Sequence, residues 1–187
     1  SHITWSTRGT LQSQDSGFGR PLVWRIVSFR KMLVARGDLM SINKARAFIS
    51  PSDLTFAWNS CHRCLWLNYN HGVKAPVMMP LVGQLSSMQE AHFDKALSQM
   101  ISPELPTGRV IDRGGWVRST PIITNGHHSP FAIRGKYDLL LAFDDDTCGI
   151  IDCKFQGQDT DKGDFYLPQL EAYAFALEHP ASGPVRT

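Results

Sequence analysis

The feature that most constrains this chain is the acidic turn Asp144-Asp145-Asp146-Thr147, set between two apolar runs at 131–143 (FAIRGKYDLLLAF) and 148–155 (CGIIDCKF). Both runs are rich in β-formers, and a short polar break between such runs reads as a hairpin. If the turn sets Phe143 opposite Thr147, Asp138 falls directly across from Asp152. A slip of one residue would send one of the two to the other face, so the pairing depends on that register. Side chains alternate along a strand, so Asp152 and Lys154 share a face while Ile151, Cys153 and Phe155 take the opposite one. Two carboxylates and an ammonium then converge on one side of an otherwise apolar sheet.

Such a cluster is costly unless something binds there. Neighbouring carboxylates repel, and one of their pKa values rises unless a cation is present. A hard divalent ion resolves the repulsion, because Mg²⁺ and Mn²⁺ prefer oxygen donors and keep waters that can act as nucleophiles. The lysine supplies a compact positive charge for the attacking water and the developing phosphorane. The next segment, DKGDFYLPQLEAYAFALEH, has a polar start, Pro168 near its first turn and helix formers to Glu178. Gln169 and Tyr173 lie four apart and share one face of that helix.

The series Asp138, Asp152-Cys153-Lys154 and Gln169-xxx-Tyr173 resembles the PD-(D/E)XK nuclease superfamily. Its Gln-xxx-Tyr helix points to the RecB-like branch, which includes the CRISPR-associated RecB-like exonucleases. The resemblance implies an α/β (α+β) fold: a restriction-endonuclease-like αβββα core with a mixed central sheet flanked by helices. It implies that Asp138 and Asp152 hold Mg²⁺ or Mn²⁺ together with the Cys153 carbonyl. Lys154 then serves catalysis, and Gln169 and Tyr173 support the site or contact DNA. The implied activity is metal-dependent hydrolysis of DNA phosphodiester bonds leaving a 5′-phosphate, with an exonuclease as the first expectation. The motifs themselves do not separate end-trimming from internal cutting.

The resemblance extends upstream, over about residues 50–179. Ser50-Pro51-Ser52-Asp53 and the following LTFAWNSCHRCLWLNY resemble the family's opening helix, with Ser50 or Ser52 suited to an N-cap and Pro51 to a first turn. PLVGQLSSMQEAHFDKALSQMI reads as a second helix with Phe93, Ala96, Leu97 and Met100 on its apolar side. RecB-like enzymes often place a metal-binding His on such a helix. His92 is the candidate, with Glu90 as substitute; the bland alternative for His92 is a polar residue at the edge of an amphipathic helix.

The chain has 187 residues, 42% of them hydrophobic, enough for one domain with a real core. Residues 21–187 are expected to form a single nuclease-like domain, with a helical part at 21–101 and a sheet-containing core at 107–179. Residues 1–20, opening Ser-His and rich in Ser, Gly, Thr and Gln, read as a disordered or tag-derived arm. GRVIDRGGWVRSTPIIT reads as one bent strand or two short ones around Gly114-Gly115. The chain ends nine residues after Glu178, so the core's final strand is expected to be truncated. The sheet edge it would leave is open to the N-terminal arm, a second copy in a homodimer or another chain. No apolar run approaches the roughly 18 residues of a membrane span.

The net charge of +2 does not announce a nucleic-acid binder, but residues 1–48 carry eight Lys/Arg against two Asp/Glu. That basic flank suits phosphate contacts and equally suits a solvated amphipathic helix over LVWRIVSFRKMLVARG. Lys162, in the loop before the last helix, is a candidate phosphate contact. Trp116 and Phe165 are candidates for stacking on unpaired bases. Asp144–Asp146 and His127-His128 read as solvated turn and loop residues.

Cys61 and Cys64 have metal-ligand spacing without a second ligand pair. Some RecB-like nucleases hold an iron–sulfur cluster with one upstream cysteine and three after the Gln-xxx-Tyr helix. No cysteine follows Tyr173 here, so that cluster is not expected. Cys148 and Cys153 read as small core residues, and scattered cysteines without a disulfide framework fit a reducing cytoplasm. Two other readings remain open: a catalytically inactive nucleic-acid-binding module with the same fold, and a zinc-binding interaction protein built on Cys61 and Cys64.

Overall fold

The acidic turn closes a hairpin in the expected register. A computed structural model describes residues 8–10, 23–25, 46–73, 80–124, 130–154 and 163–187. Its elements are β1 (Arg8–Thr10), β2 (Val23–Arg25), β3 (Phe48–Ile49), a 3-10 turn (Pro51–Leu54), α1 (Phe56–Ser60), α2 (His62–His71), α3 (Pro80–His92), α4 (Ser98–Ile101), β4 (Gly108–Arg113), β5 (Trp116–Arg118), β6 (Ala132–Lys136), β7 (Leu139–Phe143), β8 (Cys148–Ile151) and α5 (Gly163–Glu178). Antiparallel β7 and β8 pair Leu139 with Ile151 and Ala142 with Cys148. Asp138 and Asp152 therefore occupy the next register position. Within the turn, Phe143 N–H donates to Thr147 O at 2.9 Å, and the Asp145 carboxylate accepts from both the amide and the hydroxyl of Thr147.

Strands β4, β7 and β8 form one three-stranded sheet, and β3, β6 and β5 form another. The β3–β6 pair is parallel and the others are antiparallel. The expected strand over 131–143 is broken at Tyr137-Asp138, and its partner is broken at Gly114-Gly115. Gly114 has φ +64°, a conformation a glycine adopts without a Cβ penalty. Two bonds bridge the break: Gly114 N–H to Asp138 O at 2.7 Å, and Tyr137 N–H to Gly115 O at 3.0 Å. The two sheets are thus one ladder, kinked where Asp138 sits.

Alternation along β7 and β8 supplies two cores. Leu140 and Ile150 pack toward α5 with Leu170, Tyr173, Ala176 and Leu177. Leu139, Leu141 and Ile151 pack on the other side with Phe93, Ile101, Leu105 and Val110. Burying each such side chain stabilises by about 1.5–3 kcal/mol. Pro168 lies inside α5 rather than in its first turn, and the buried face of that helix offsets the hydrogen bond the ring removes. The architecture is mixed α/β, consistent with the core that the resemblance implies.

Three expected elements differ. The helix expected over 80–101 stops at His92, Lys95 takes φ +61°, and α4 is a separate turn. Leu97 forms a bridge with Arg109 and is half exposed, so tertiary pairing overrides the helical spacing of Phe93, Ala96, Leu97 and Met100. The opening helix is divided at Thr55 and Cys61, where Cys61 Sγ caps α2 by accepting from Cys64 N–H at 3.2 Å. Within the stretches read as arm and basic flank, β1 pairs antiparallel with β2. At the edge of β8, Cys148 N–H donates to Thr187 O at 2.7 Å. Lys162, Phe155, His127-His128 and most of 21–45 lie outside the described residues.

Candidate active site

The kink in the ladder and the middle of α5 face each other across the end of β8. Asp138, half-buried at the kink, accepts from Cys153 N–H through Oδ2 at 2.6 Å. Asp152 is 8% exposed and is held on both oxygens: Gln169 Nε2 donates to Oδ1 at 2.9 Å, and Lys154 Nζ lies 2.6 Å from Oδ2. Tyr173, one turn beyond Gln169, donates its hydroxyl to Lys136 O at 2.6 Å. Gln169 and Tyr173 thus act on opposite sides of the kink, one on a carboxylate and one on backbone. The structure brings Asp138, Asp152, Lys154, Gln169 and Tyr173 together, with Cys153 between the two carboxylates.

The electrostatics follow from burial and crowding. Burial and then the charge of Asp152 push the Asp138 carboxyl up to about 7, although Cys153 N–H and Lys154 oppose the shift. Burial disfavours the Lys154 ammonium, but Asp152 at contact distance and Asp138 outweigh it, and its pKa stands above the usual lysine value. Burial and the same carboxylates push the Cys153 thiol up to about 12. Cys153 therefore remains a neutral thiol and offers the site its backbone.

The residue on α3 that bears on this site is Glu90. Its charge raises the Asp138 and Cys153 pKa values. Gly114 lies beside it, with Glu90 Oε2 3.9 Å from the point where a Cβ would stand. His92 is exposed at the end of α3, its ring against Phe93 with centroids 4.8 Å apart. Two residues along a helix turn about 200°, so Glu90 and His92 cannot face the same point. The sequence named Glu90 only as the substitute, and nothing in helical spacing alone sets which of the two turns inward.

Three carboxylates, Asp138, Asp152 and Glu90, stand against two ammonium groups, Lys154 on Asp152 and Lys136 beside Gly114 and Glu90. That excess of negative charge and the oxygen donor set suit a divalent cation such as Mg²⁺, which is commonly held by one or two carboxylates and completed by water. Among the described residues, no group of three His, Cys, Asp or Glu side chains is placed to hold a metal ion; the carboxylate pair Asp138 and Asp152 is the donor set that would. Cys61 and Cys64 are free thiols outside this cluster.

Aromatic rings stand beside Lys154. Phe56 of α1 packs edge-on against Phe165 and Tyr166 at 5.1 and 5.7 Å, and Lys154 Nζ lies 5.4 Å from the Tyr166 ring centre. No helix among the described residues is long and apolar enough to cross a membrane. A family model described as the PD-(D/E)XK nuclease superfamily matches residues 55–186. No curated protein and no solved structure matches the chain.

Proposed function

The chain belongs to the PD-(D/E)XK nuclease superfamily, and on that premise we propose that it is a Mg²⁺- or Mn²⁺-dependent deoxyribonuclease of the RecB-like type. The observation that carries this reading is the arrangement around Asp152, with Lys154 on one oxygen and Gln169 on the other. These two partners offset the desolvation of a buried carboxylate and orient it at the register position that faces Asp138.

In this reading Asp138 and Asp152 would hold the cation with the Cys153 carbonyl, and Glu90 rather than His92 would be the α3 residue near it. When bound, such a cation would supply Lewis-acid chemistry at the phosphoryl group. Lys154 orients the attacking water and offsets charge developing on the phosphorus oxygens. Gln169 keeps Asp152 in its rotamer, and Tyr173 ties α5 to the Lys136 carbonyl beside the kink. Exonucleolytic trimming is the mode carried over from the RecB-like resemblance.

The test is incubation of end-labelled single- and double-stranded DNA with the full chain in Mn²⁺, Mg²⁺ or EDTA. Metal-dependent products with 5′-phosphate ends are expected. DNA binding without metal-dependent products would replace this reading with the inactive binding module.

A further inference from the structure

The outward face of β5 and β6 is cationic and aromatic. Trp116 pairs directly with Lys136, and Arg118 with Arg134. Directly paired residues lie on one face of an antiparallel ladder, so all four side chains share a side. All four are exposed, while the alternating Val117 and Gly135 are buried. Gly135 is backed by Pro51 and Tyr173, so the cationic face is turned away from α5.

Trp116 is 67% exposed. The Arg134 guanidinium lies 5.2 Å from its ring centre and 5.3 Å from that of Phe48. Cation and ring hold each other in place, leaving the rest of the indole to water. Among the described residues, Arg118, Arg134 and Lys136 form no ion pair with a carboxylate. A cleft of about 590 Å³ opens beside this face toward residues 180–186, lined by Trp116, Arg118, Arg134 and Arg186. Asp112 is the one carboxylate among its described lining residues, and it already accepts the Tyr137 hydroxyl at 2.6 Å.

An exposed indole beside guanidinium groups that meet no carboxylate among the described residues matches a polyanion that also carries free aromatic faces. We propose that this face binds a single-stranded nucleic acid, with one unpaired base stacked on Trp116 and backbone phosphates on Arg118 and Lys136. A duplex satisfies the charges but keeps its base faces stacked internally, so the tryptophan selects the single strand. Lys136 stands two residues before Asp138 and carries the carbonyl that Tyr173 holds. A strand on this face therefore leads to the kink, and that link to cleavage rests on the nuclease reading above.

Fluorescence anisotropy of a labelled thymidine oligonucleotide of roughly 12 nucleotides, within the usual span of such sites, tests the proposal in EDTA, where no cleavage intervenes. Trp116→Ala is expected to weaken binding by about 5- to 150-fold, and Trp116→Phe to restore most of it. Arg118→Ala should lower the slope of log affinity against log salt by about 0.7. Affinity for a duplex of the same length should respond to Arg118→Ala but little to Trp116→Ala. Both side chains are exposed, so thermal unfolding of each variant should match the parent.

Unchanged oligonucleotide affinity in Trp116→Ala, or an equal loss for duplex, would overturn the proposal. The two readings separate cleanly. Trp116-dependent binding without cleavage in Mn²⁺ would remove the nuclease reading and keep this one, whereas cleavage by a chain whose single-strand affinity ignores Trp116 would do the reverse.

Discussion

Gln169 Nε2 donates to Asp152 Oδ1 at 2.9 Å, with both residues buried and Gln169 only 3% exposed. Among the described residues the amide's own oxygen has no partner, so the side chain is kept for what its nitrogen does. Gln169→Leu preserves much of the volume and removes the bond. We expect Mn²⁺ affinity measured by calorimetry to fall about 10- to 100-fold, as when a partner that orients a metal ligand is lost. Unaltered affinity would show that Asp152 needs no such support.

The raised pKa of Asp138 makes the metal-free protein sensitive to pH. Its folded value of about 7 lies above its ordinary 3.8, so the folded state binds this proton more tightly than the unfolded state does. The stability that follows is fully present below about pH 4 and is lost as pH rises through about 7. Asp138→Asn cannot titrate and can still accept from Cys153 N–H. In EDTA, the melting temperature of the parent minus that of Asp138→Asn should therefore fall between pH 5 and pH 8. A constant difference would contradict the burial of this charge.

Divalent metal should offset the same repulsion. At about 100 times the dissociation constant, binding to the folded state alone stabilises by about 2.7 kcal/mol, or roughly 5–10 °C in a chain of this size. Melting curves at pH 8 with and without Mn²⁺ measure the shift. Asp138→Asn should lose most of it, and an equal shift in that variant would place the ion elsewhere.

Gly135 marks where the opening turn and α5 close on β6. A Cβ there would stand 2.7 Å from Pro51 Cδ and 2.8 Å from Tyr173 Cε1. Gly135→Ala should cost about 1–3 kcal/mol by overpacking, read as a lower melting temperature. Cleavage should drop with it, because Tyr173 is displaced from the Lys136 carbonyl. A variant as stable as the parent would mean that this contact yields freely.

The opposition of Asp138 and Asp152 was legible because a four-residue turn and a period of two leave little freedom once Phe143 faces Thr147. The Gln169–Tyr173 face was legible because residues four apart on a helix share a side. The kink at Tyr137-Asp138 was not, since a run of apolar residues does not record where a ladder bends. It follows from Gly114 at positive φ on the partner strand. The break after His92 was hidden for a related reason: Leu97 fits a helical stripe, but its bridge to Arg109 is made by a distant part of the chain. Which of Glu90 and His92 turns toward the sheet depends on how α3 rotates against it. The common face of Trp116, Arg118, Arg134 and Lys136 appears only when β5 and β6 are set in register.

On the proposed function, Lys154 acts in metal-dependent phosphodiester cleavage rather than serving only to neutralise Asp152. The most direct test of that role is the single-turnover cleavage rate of DNA in saturating Mn²⁺, comparing the parent with Lys154→Ala after Mn²⁺ and DNA affinities have been measured for both. A fall of about 10²- to 10³-fold, the usual effect of removing one stabiliser of transition-state charge, with Mn²⁺ and DNA still bound, is the expected result. Equal rates in the two proteins, or no metal-dependent cleavage in either alongside normal DNA binding, would contradict it.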